Sequence, residues 1–409
     1  MLCPICGSNK VIRYLSLGKQ PLANGLIADT KDSVTVPRYE LSLDLCKNCL
    51  YVWVETKVEP EKLFSENTYL TGISSQTISD MREFANSCIS TCNLTTHSKV
   101  LDIASNDGTL LTFFKTRGME VLGIDPSRPA YEIAIKSGVQ TINNFFTMET
   151  SEQILEKYGK LDLITGTNIV THVSKPIDFL LACKRILKPS GSIVLEFYNF
   201  ESLINNTAFD QIYHEHISYF NFTSFSHIVE MAGLKIYKVQ TVDSQGGSLR
   251  VFISNTASIE DNSVKKIFKK EGEKEDILKR YLDFPLRVLK KKEEILEFFR
   301  KNVDKSIIGY GASAKATVLL NFLDIDADII PAIADSNPIK MGKFIPGTGI
   351  KVVAPNKIIE YNPNIVIIFS WNIKHEIMQF LKKILNQKVI TVTFIPNLEL
   401  VPLLQVDNQ

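Results

Sequence analysis

No apolar run in this 409-residue chain reaches the ~20 residues that a membrane-spanning helix requires. The opening Met1-Leu2-Cys3-Pro4 lacks the basic and apolar regions of a signal peptide. The expected compartment is therefore the cytoplasm, with no membrane partner. A net field is missing too. Lys plus Arg number 46 and Asp plus Glu 45, a balance that gives no long-range attraction for nucleic acid or anionic lipid. Any anionic ligand has to be held by local groups. Histidine is scarce, at six residues, so a cluster of it stands out. What is present is ordinary globular composition, 44% hydrophobic and 22% charged, in a chain long enough for two to four domains.

The seven cysteines of a cytoplasmic chain read as thiols or metal ligands rather than disulfides. Four are patterned, as Cys3-Pro4-Ile5-Cys6 and Cys46-Lys47-Asn48-Cys49. Two such knuckles supply four thiolates, which saturate a tetrahedral Zn²⁺ and leave it no open position for chemistry. A structural zinc site is expected, stapling residues 1 to about 60, a stretch with a modest core of its own. Cys88, Cys92 and Cys183 lie in helix-like surroundings and read as packing residues. The stretch from Leu63 to Ser75, with its Tyr, Gly and serines, reads as a loop laid over something else.

A second region begins with Lys99-Val100-Leu101-Asp102-Ile103-Ala104-Ser105, a buried-strand pattern that runs through Asn106-Asp107-Gly108 into the helical Thr109-Leu110-Leu111. Strand, glycine turn and helix open the ligand crevice of a doubly wound α/β sheet. A second strand, residues 120–124, ends on Asp125, where an acid can accept both ribose hydroxyls of an adenosine. The first turn carries one glycine and not Gly-x-Gly-x-x-Gly, so a cofactor with ribose but no phosphates fits, and S-adenosylmethionine is the commonest of these. Further strands are expected at 139–142, 161–165 and 192–197, with Pro189-Ser190-Gly191 turning into the last. His172 follows the fourth strand.

The densest cluster of proton-transferring side chains is Phe209-Asp210-Gln211-Ile212-Tyr213-His214-Glu215-His216-Ile217-Ser218-Tyr219-Phe220. Two of the six histidines fall here beside a Tyr and an acid. An unperturbed imidazole titrates near pH 6.5, which suits a general base. If the stretch is helical, Tyr213 and His216 share a face; a solvated polar turn or a metal site are the other readings.

From residue 258 to 302 interspersed Lys, Glu and apolar residues predict one long amphipathic helix or a pair, linking domains. Ser306-Ile307-Ile308-Gly309-Tyr310-Gly311-Ala312-Ser313-Ala314-Lys315 is again strand, Gly-x-Gly and helix, with Lys315 suited to a phosphate. Strands 329–334 and 365–369 continue a smaller α/β sheet. This lobe either binds the nucleotide part of a substrate or keeps a vestigial turn.

Taken in order, the two Cys-x2-Cys knuckles, Gly18-Lys19-Gln20-Pro21-Leu22-Ala23-Asn24, Ser105-Asn106-Asp107-Gly108, residues 209–216, Gly246-Gly247-Ser248-Leu249-Arg250 and residues 309–315 resemble the S-adenosylmethionine-dependent C-methyltransferases of nucleotide-linked deoxysugar biosynthesis. The resemblance covers nearly the whole chain. It implies an α/β protein with a Rossmann-like methyltransferase core (71–257) between a small zinc-binding domain (1–70, ligands Cys3, Cys6, Cys46 and Cys49) and, after a helical linker (258–302), a C-terminal half-Rossmann domain (303–409). The implied substrate is a nucleotide-diphospho-4-keto-deoxysugar, and the implied partners include no nucleic acid. The protein is expected as a monomer or dimer.

By the same resemblance a base removes the proton at C3 and the enolate takes the methyl group. His216 is the expected base, with Tyr213 as its partner or alternative. Glu215 orients the ligand or the imidazole, and His172 donates toward the 4-oxygen. Asp102, Ala104, Asn106, Gly108, Asp125 and Pro126 are expected to contact the cofactor, and Tyr69, Lys315, Asp335 and Trp371 the substrate. Two positions depart from the family pattern. Asn67 stands where members carry the first Tyr of Tyr-x-Tyr, and His214 where some relatives carry Asp. O- or N-methylation on the same fold, and a non-catalytic sugar-nucleotide-binding protein, are the competing readings.

Overall fold

The computed structural model describes residues 1–55, 58–65, 69–256, 261–385 and 388–403. Asn67 and Thr68, and the expected boundary at 257/258, lie outside the described residues. In chain order the strands are β1 (Val11–Gln20), β2 (Tyr39–Cys46), β3 (Val52–Val54), β4 (Lys99–Ile103), β5 (Glu120–Ile124), β6 (Thr141–Ile142), β7 (Leu161–Thr167), β8 (Leu187–Tyr198), β9 (Ser218–Tyr219), β10 (Lys235–Val242), β11 (Ser248–Ser254), β12 (Ile307–Tyr310), β13 (Ala332–Ala334), β14 (Lys351–Val353), β15 (Ile365–Ile368), β16 (Ile390–Thr393) and β17 (Glu399–Pro402). They build sheets of order β1-β2-β3-β9, β10-β11-β8-β7-β4-β5-β6 and β14-β13-β12-β15-β16-β17. The chain divides into two compact units. Met1–Arg13, Leu43–Ser202 and His216–Lys279 form the first, and Tyr14–Ser42, Leu203–Glu215 and Arg280–Gln409 the second.

In the first unit β4, β5, β6, β7 and β8 are parallel, and β11 and β10 extend them antiparallel. Leu101, Leu163, Ile164, Ile193 and Leu195 are fully buried, as strands covered on both faces require. The helix Ser75–Thr91 starts because the Ser74 side chain accepts from the Thr77 amide. It turns Met81, Phe84, Ala85 and Cys88, one stripe at helical spacing, into the core. Pro189-Ser190-Gly191 does not turn into a strand; it lies within β8. There Leu161 pairs with Leu187 while Leu163 pairs with Ser192, so a bulge in β8 absorbs the proline. Cys3, Ile5, Cys46, Tyr51 and Trp53 belong to the same apolar cluster as Leu101, Ile164 and Leu195. The cysteine module thus shares its core with the large sheet and does not close one of its own.

Residues 209–220 are not a helix. One 3-10 turn, Phe209–Gln211, is followed by irregular chain and then β9. Long-range pairing overrides local propensity, since Val52 pairs with Tyr219 and Trp53 with Ser218, and the Tyr51 and Ser218 hydroxyls are 2.6 Å apart. The expected shared helical face of Tyr213 and His216 therefore does not form.

In the second unit β14, β13, β12, β15 and β16 are parallel and β17 is antiparallel. The helix Ala314–Leu323 between β12 and β13 is buried over nearly its whole length. The lysine-rich stretch is a pair of helices, Asn262–Glu271 in the first unit and Lys274–Lys301, which belongs to the second unit from Arg280 onward and carries Pro285 inside it. Ile277, Tyr281, Phe284, Val288 and Ile295, at spacings of one helical face, are fully buried there. Among the described residues no helix is long and apolar enough to cross a membrane.

Candidate active site

The four patterned cysteines converge. Their sulfurs all lie within 4.8 Å of one another, with Cys3 and Cys49 at 3.6 Å and Cys6 and Cys46 at 3.6 Å. All seven cysteines are free thiols. The knuckles turn through Gly7 and Leu50, at φ 67° and 63°, and the Asn48 amide donates to the Cys46 sulfur at 3.4 Å. An amide aimed at sulfur favours the thiolate that metal binding needs. The donor set is four sulfurs from two knuckles, the set that tetrahedral zinc takes.

Where β4 ends, the backbone of the first turn goes left-handed at Ala104 (φ 58°), Asn106 (φ 51°) and Gly108 (φ 79°). Asn adopts that region readily and Gly freely, while at Ala it is strained by roughly 1–2 kcal/mol. Beneath the turn, Asp102 is 2% exposed and accepts from the Thr165 hydroxyl at 2.7 Å. Burial pushes its carboxyl up to about 7. Asp125 ends β5, and its carboxylate accepts from the Asn106 amide (2.8 Å) and the Ser127 amide (2.7 Å). Burial raises its pKa as well. Pro126 follows it at the same sheet edge. The Asn106 side chain is engaged elsewhere. Its Oδ1 accepts from the Thr71 amide at 2.9 Å and its Nδ2 donates to the Tyr69 carbonyl at 3.0 Å.

The ends of β4, β5 and β7 form one carboxyl edge, and ligands of doubly wound sheets bind there. Asn168 turns the chain at φ 60° after β7, and the 3-10 turn Val170–His172 presents His172. The rings of His172 and His216 lie 5.0 Å apart between centroids. Phe64 packs edge-on against His172 at 5.3 Å, and Tyr219 against His216 at 6.3 Å. His216 is 9% exposed. The two imidazoles are thus held near one another by the aromatic rings of Phe64 and Tyr219.

His214 takes a different place. It is fully buried, its Nε2 lies 3.3 Å from the Glu40 carbonyl, and burial lowers its pKa, which marks it as a packed histidine. Glu215 is 2% exposed, and its Oε1 accepts from the Asn24 amide and the Asn24 side chain, each at 3.2 Å. Burial raises its pKa. Tyr213 is half-buried.

In the second unit the Lys315 ammonium, buried at the start of helix Ala314–Leu323, donates to Asn372 Oδ1 at 2.6 Å and lies 5.2 Å from the Trp371 ring centroid. Burial lowers its pKa to about 8, against the pull of Asp210. The Trp371 indole donates to Asp210 Oδ2 at 2.8 Å. Asp335, directly after β13, accepts from the Asn337 amide at 2.8 Å and pairs with Lys340 at 3.3 Å. Tyr69 is 47% exposed. Asn24, Asp107, Asp210 and Asn372 are not among the site residues that the sequence predicts. All four lie within motifs legible in the sequence, but the partner that gives each its role is distant in sequence.

Three family models match along the chain: "Putative zinc binding domain" at residues 3–64, "Methyltransferase domain" at 78–239 and "C-methyltransferase C-terminal domain" at 243–396. The C-methyltransferase NovU of Streptomyces niveus is 29% identical over 391 residues, 94% of this chain and 93% of that protein. The ubiquinone biosynthesis O-methyltransferase of Pseudomonas aeruginosa is 33% identical over 106 residues, 25% of this chain and 44% of its own length. A SAM-dependent methyltransferase structure from Archaeoglobus fulgidus aligns with 42% of this chain and 93% of its own at 17% identity and a TM-score of 0.35. S-adenosylmethionine and zinc are the cofactors that these domains bring. With its knuckle module, its methyltransferase sheet and its C-terminal lobe each matched in turn, the chain belongs to the S-adenosylmethionine-dependent C-methyltransferases.

Proposed function

We propose that this enzyme methylates C3 of a nucleotide-diphospho-4-keto-deoxysugar by way of an enolate. The observation that carries the proposal is the pairing of His172 and His216, with ring centroids 5.0 Å apart. A 4-keto group acidifies the neighbouring C–H. Neutral His216 takes the C3 proton, and the C–H electron pair moves into the C3–C4 bond while charge gathers on the 4-oxygen. A positioned base contributes typically ~10²–10⁴-fold to such a step. His172 donates toward that oxygen, where a preorganised donor acts on the charge as it develops. Tyr213 shares or replaces the base role, and Glu215, clamped by Asn24, keeps the stretch before His216 in place.

Bound S-adenosylmethionine supplies an electrophilic methyl group. The residues proposed to hold it are the turn from Asp102 through Ala104 and Asn106 to Gly108, with Asp125 accepting the ribose hydroxyls and Pro126 beside it. Strain at Ala104 supports that placement, because such backbone collects at ligand sites. Lys315, Trp371 and Asp335 are proposed for the nucleotide of the substrate, with Tyr69 toward the sugar.

The test is incubation with S-adenosylmethionine and a panel of dTDP-, GDP- and CDP-4-keto-6-deoxysugars, read by mass spectrometry and carbon-13 NMR. A gain of one methylene unit located at C3 is expected. A methyl group found on oxygen or nitrogen, or no gain with any member while the cofactor binds, would overturn the reading.

A further inference from the structure

We infer that Asp107 and Asn106 are positioning residues that fasten residues 69–72 onto the cofactor turn, so that binding of the cofactor also sets the place of Tyr69. The inference rests on the cofactor placement given under Proposed function. The Gly72 amide donates to Asp107 Oδ2 at 2.7 Å. The Thr71 amide and hydroxyl both donate to Asn106 Oδ1, at 2.9 and 3.2 Å, and Asn106 Nδ2 donates to the Tyr69 carbonyl at 3.0 Å. Asp107 holds the helix that follows with its other oxygen, which accepts from the Thr109 amide (3.1 Å) and hydroxyl (2.6 Å).

Gly72 makes this approach possible. A Cβ there would come within 2.9 Å of Thr109 Oγ1 and 3.1 Å of Asp107 Oδ2, so a larger residue would lift the strap. On the other side the Asn106 amide donates to Asp125 Oδ2 at 2.8 Å. Asp125, Asn106 and the Thr71 backbone are therefore linked in one chain of contacts, and the carboxylate that meets the ribose is two hydrogen bonds from the strap. Both ends of the Asn106 side-chain amide serve the strap, so within the proposed cofactor turn its side chain is what holds Tyr69 in place. Because coupling between sites is reciprocal, an ordered turn holds the strap and a held strap strengthens cofactor binding by the same factor.

The experiment is amide hydrogen exchange on the full chain with and without S-adenosylhomocysteine, together with calorimetry of its binding. In the wild type the ligand should slow exchange at Thr71 and Gly72 at least tenfold, along with the amides of residues 105–109. In Asp107→Ala and in Gly72→Ala, which leaves every turn side chain intact, slowing at Thr71 should be lost and the ligand should bind about tenfold more weakly. Slowing of the turn without the strap in the wild type would overturn the inference and leave the cofactor placement standing. Binding that slows neither would overturn both, and a Gly72→Ala protein with wild-type slowing and affinity would overturn the strap alone.

Discussion

Replacing Arg250 by Met should be among the most damaging single changes to the first unit. Arg250 on β11 lies directly across from Glu196 on β8. Its Nε donates to Glu196 Oε2 at 2.8 Å, both side chains are 2% exposed, and the guanidinium stands 4.9 Å from the Phe84 ring centroid. Burial raises the Glu196 pKa even against the attraction of Arg250. With the cation gone, the buried carboxylate would keep its hydrogen bond with Ser244 but lose its charge partner, which costs about 3–5 kcal/mol. At roughly 2–4 °C per kcal/mol for a unit of this size, the first thermal transition should fall on the order of 10 °C. The double variant Arg250→Met with Glu196→Gln should recover part of that loss, because neither partner is then a stranded charge. The acid's raised folded-state pKa fixes the pH dependence. Its favourable contribution is present at low pH and is lost as pH rises through that pKa, so Arg250→Met should be less impaired at pH 5 than at pH 8. Arg128→Ala is the control, since its pair with Glu132 is 73% and 51% exposed and is worth under about 1 kcal/mol. If calorimetry showed Arg250→Met no worse than that control, the buried pair would be misread.

The raised pKa of Asp102, to about 7, gives stability that is full below the unfolded value near 4 and lost as pH rises through 7. Between pH 5 and 8 the wild type should lose roughly 2.5 kcal/mol relative to Asp102→Asn, followed by urea unfolding of both proteins across that range. Cys46→Ser should bring bound zinc, measured by mass spectrometry of the metal, well below one per chain and lower the first thermal transition; an unchanged zinc content would remove the four-sulfur site. Lys315, brought down to about 8, is a cation below that pH and neutral above it. If Lys315 meets the nucleotide as proposed, KM for the proposed nucleotide-sugar substrate should climb above pH 8 in the wild type and stay flat, at a raised level, in Lys315→Met.

Local pattern revealed the parts whose partners are close in sequence. The strands beginning at Lys99, Glu120 and Leu161 showed as short apolar runs ended by turn residues; the first two pair with each other, and the third with β8, in parallel across one α-helical crossover. The cysteine knuckles were equally plain, because metal ligation imposes its own spacing. Residues 209–220 were legible as chemistry and not as structure. Tyr, His and Glu in a row signal proton transfer whatever the backbone does, but Ser218 and Tyr219 are drawn into a strand by Val52 and Trp53, more than 160 positions away. The same distance hid the clamp on Glu215 by Asn24 and the hold of Asp210 on Trp371. Pro189 suggested a turn because proline cannot donate to a ladder, and only the register step opposite Leu161 and Leu163 shows how a strand accommodates it.

The central claim is that His216 removes a carbon-bound proton. Its most direct measurement is exchange of the C3 hydrogen of the nucleotide-linked 4-keto-6-deoxysugar with deuterated water, followed by NMR with S-adenosylhomocysteine present so that no methyl group can be transferred. The wild type should exchange that position alone, and His216→Ala should do so ~10²–10⁴-fold more slowly with unchanged affinity for S-adenosylhomocysteine. Exchange at the wild-type rate in His216→Ala would contradict the claim.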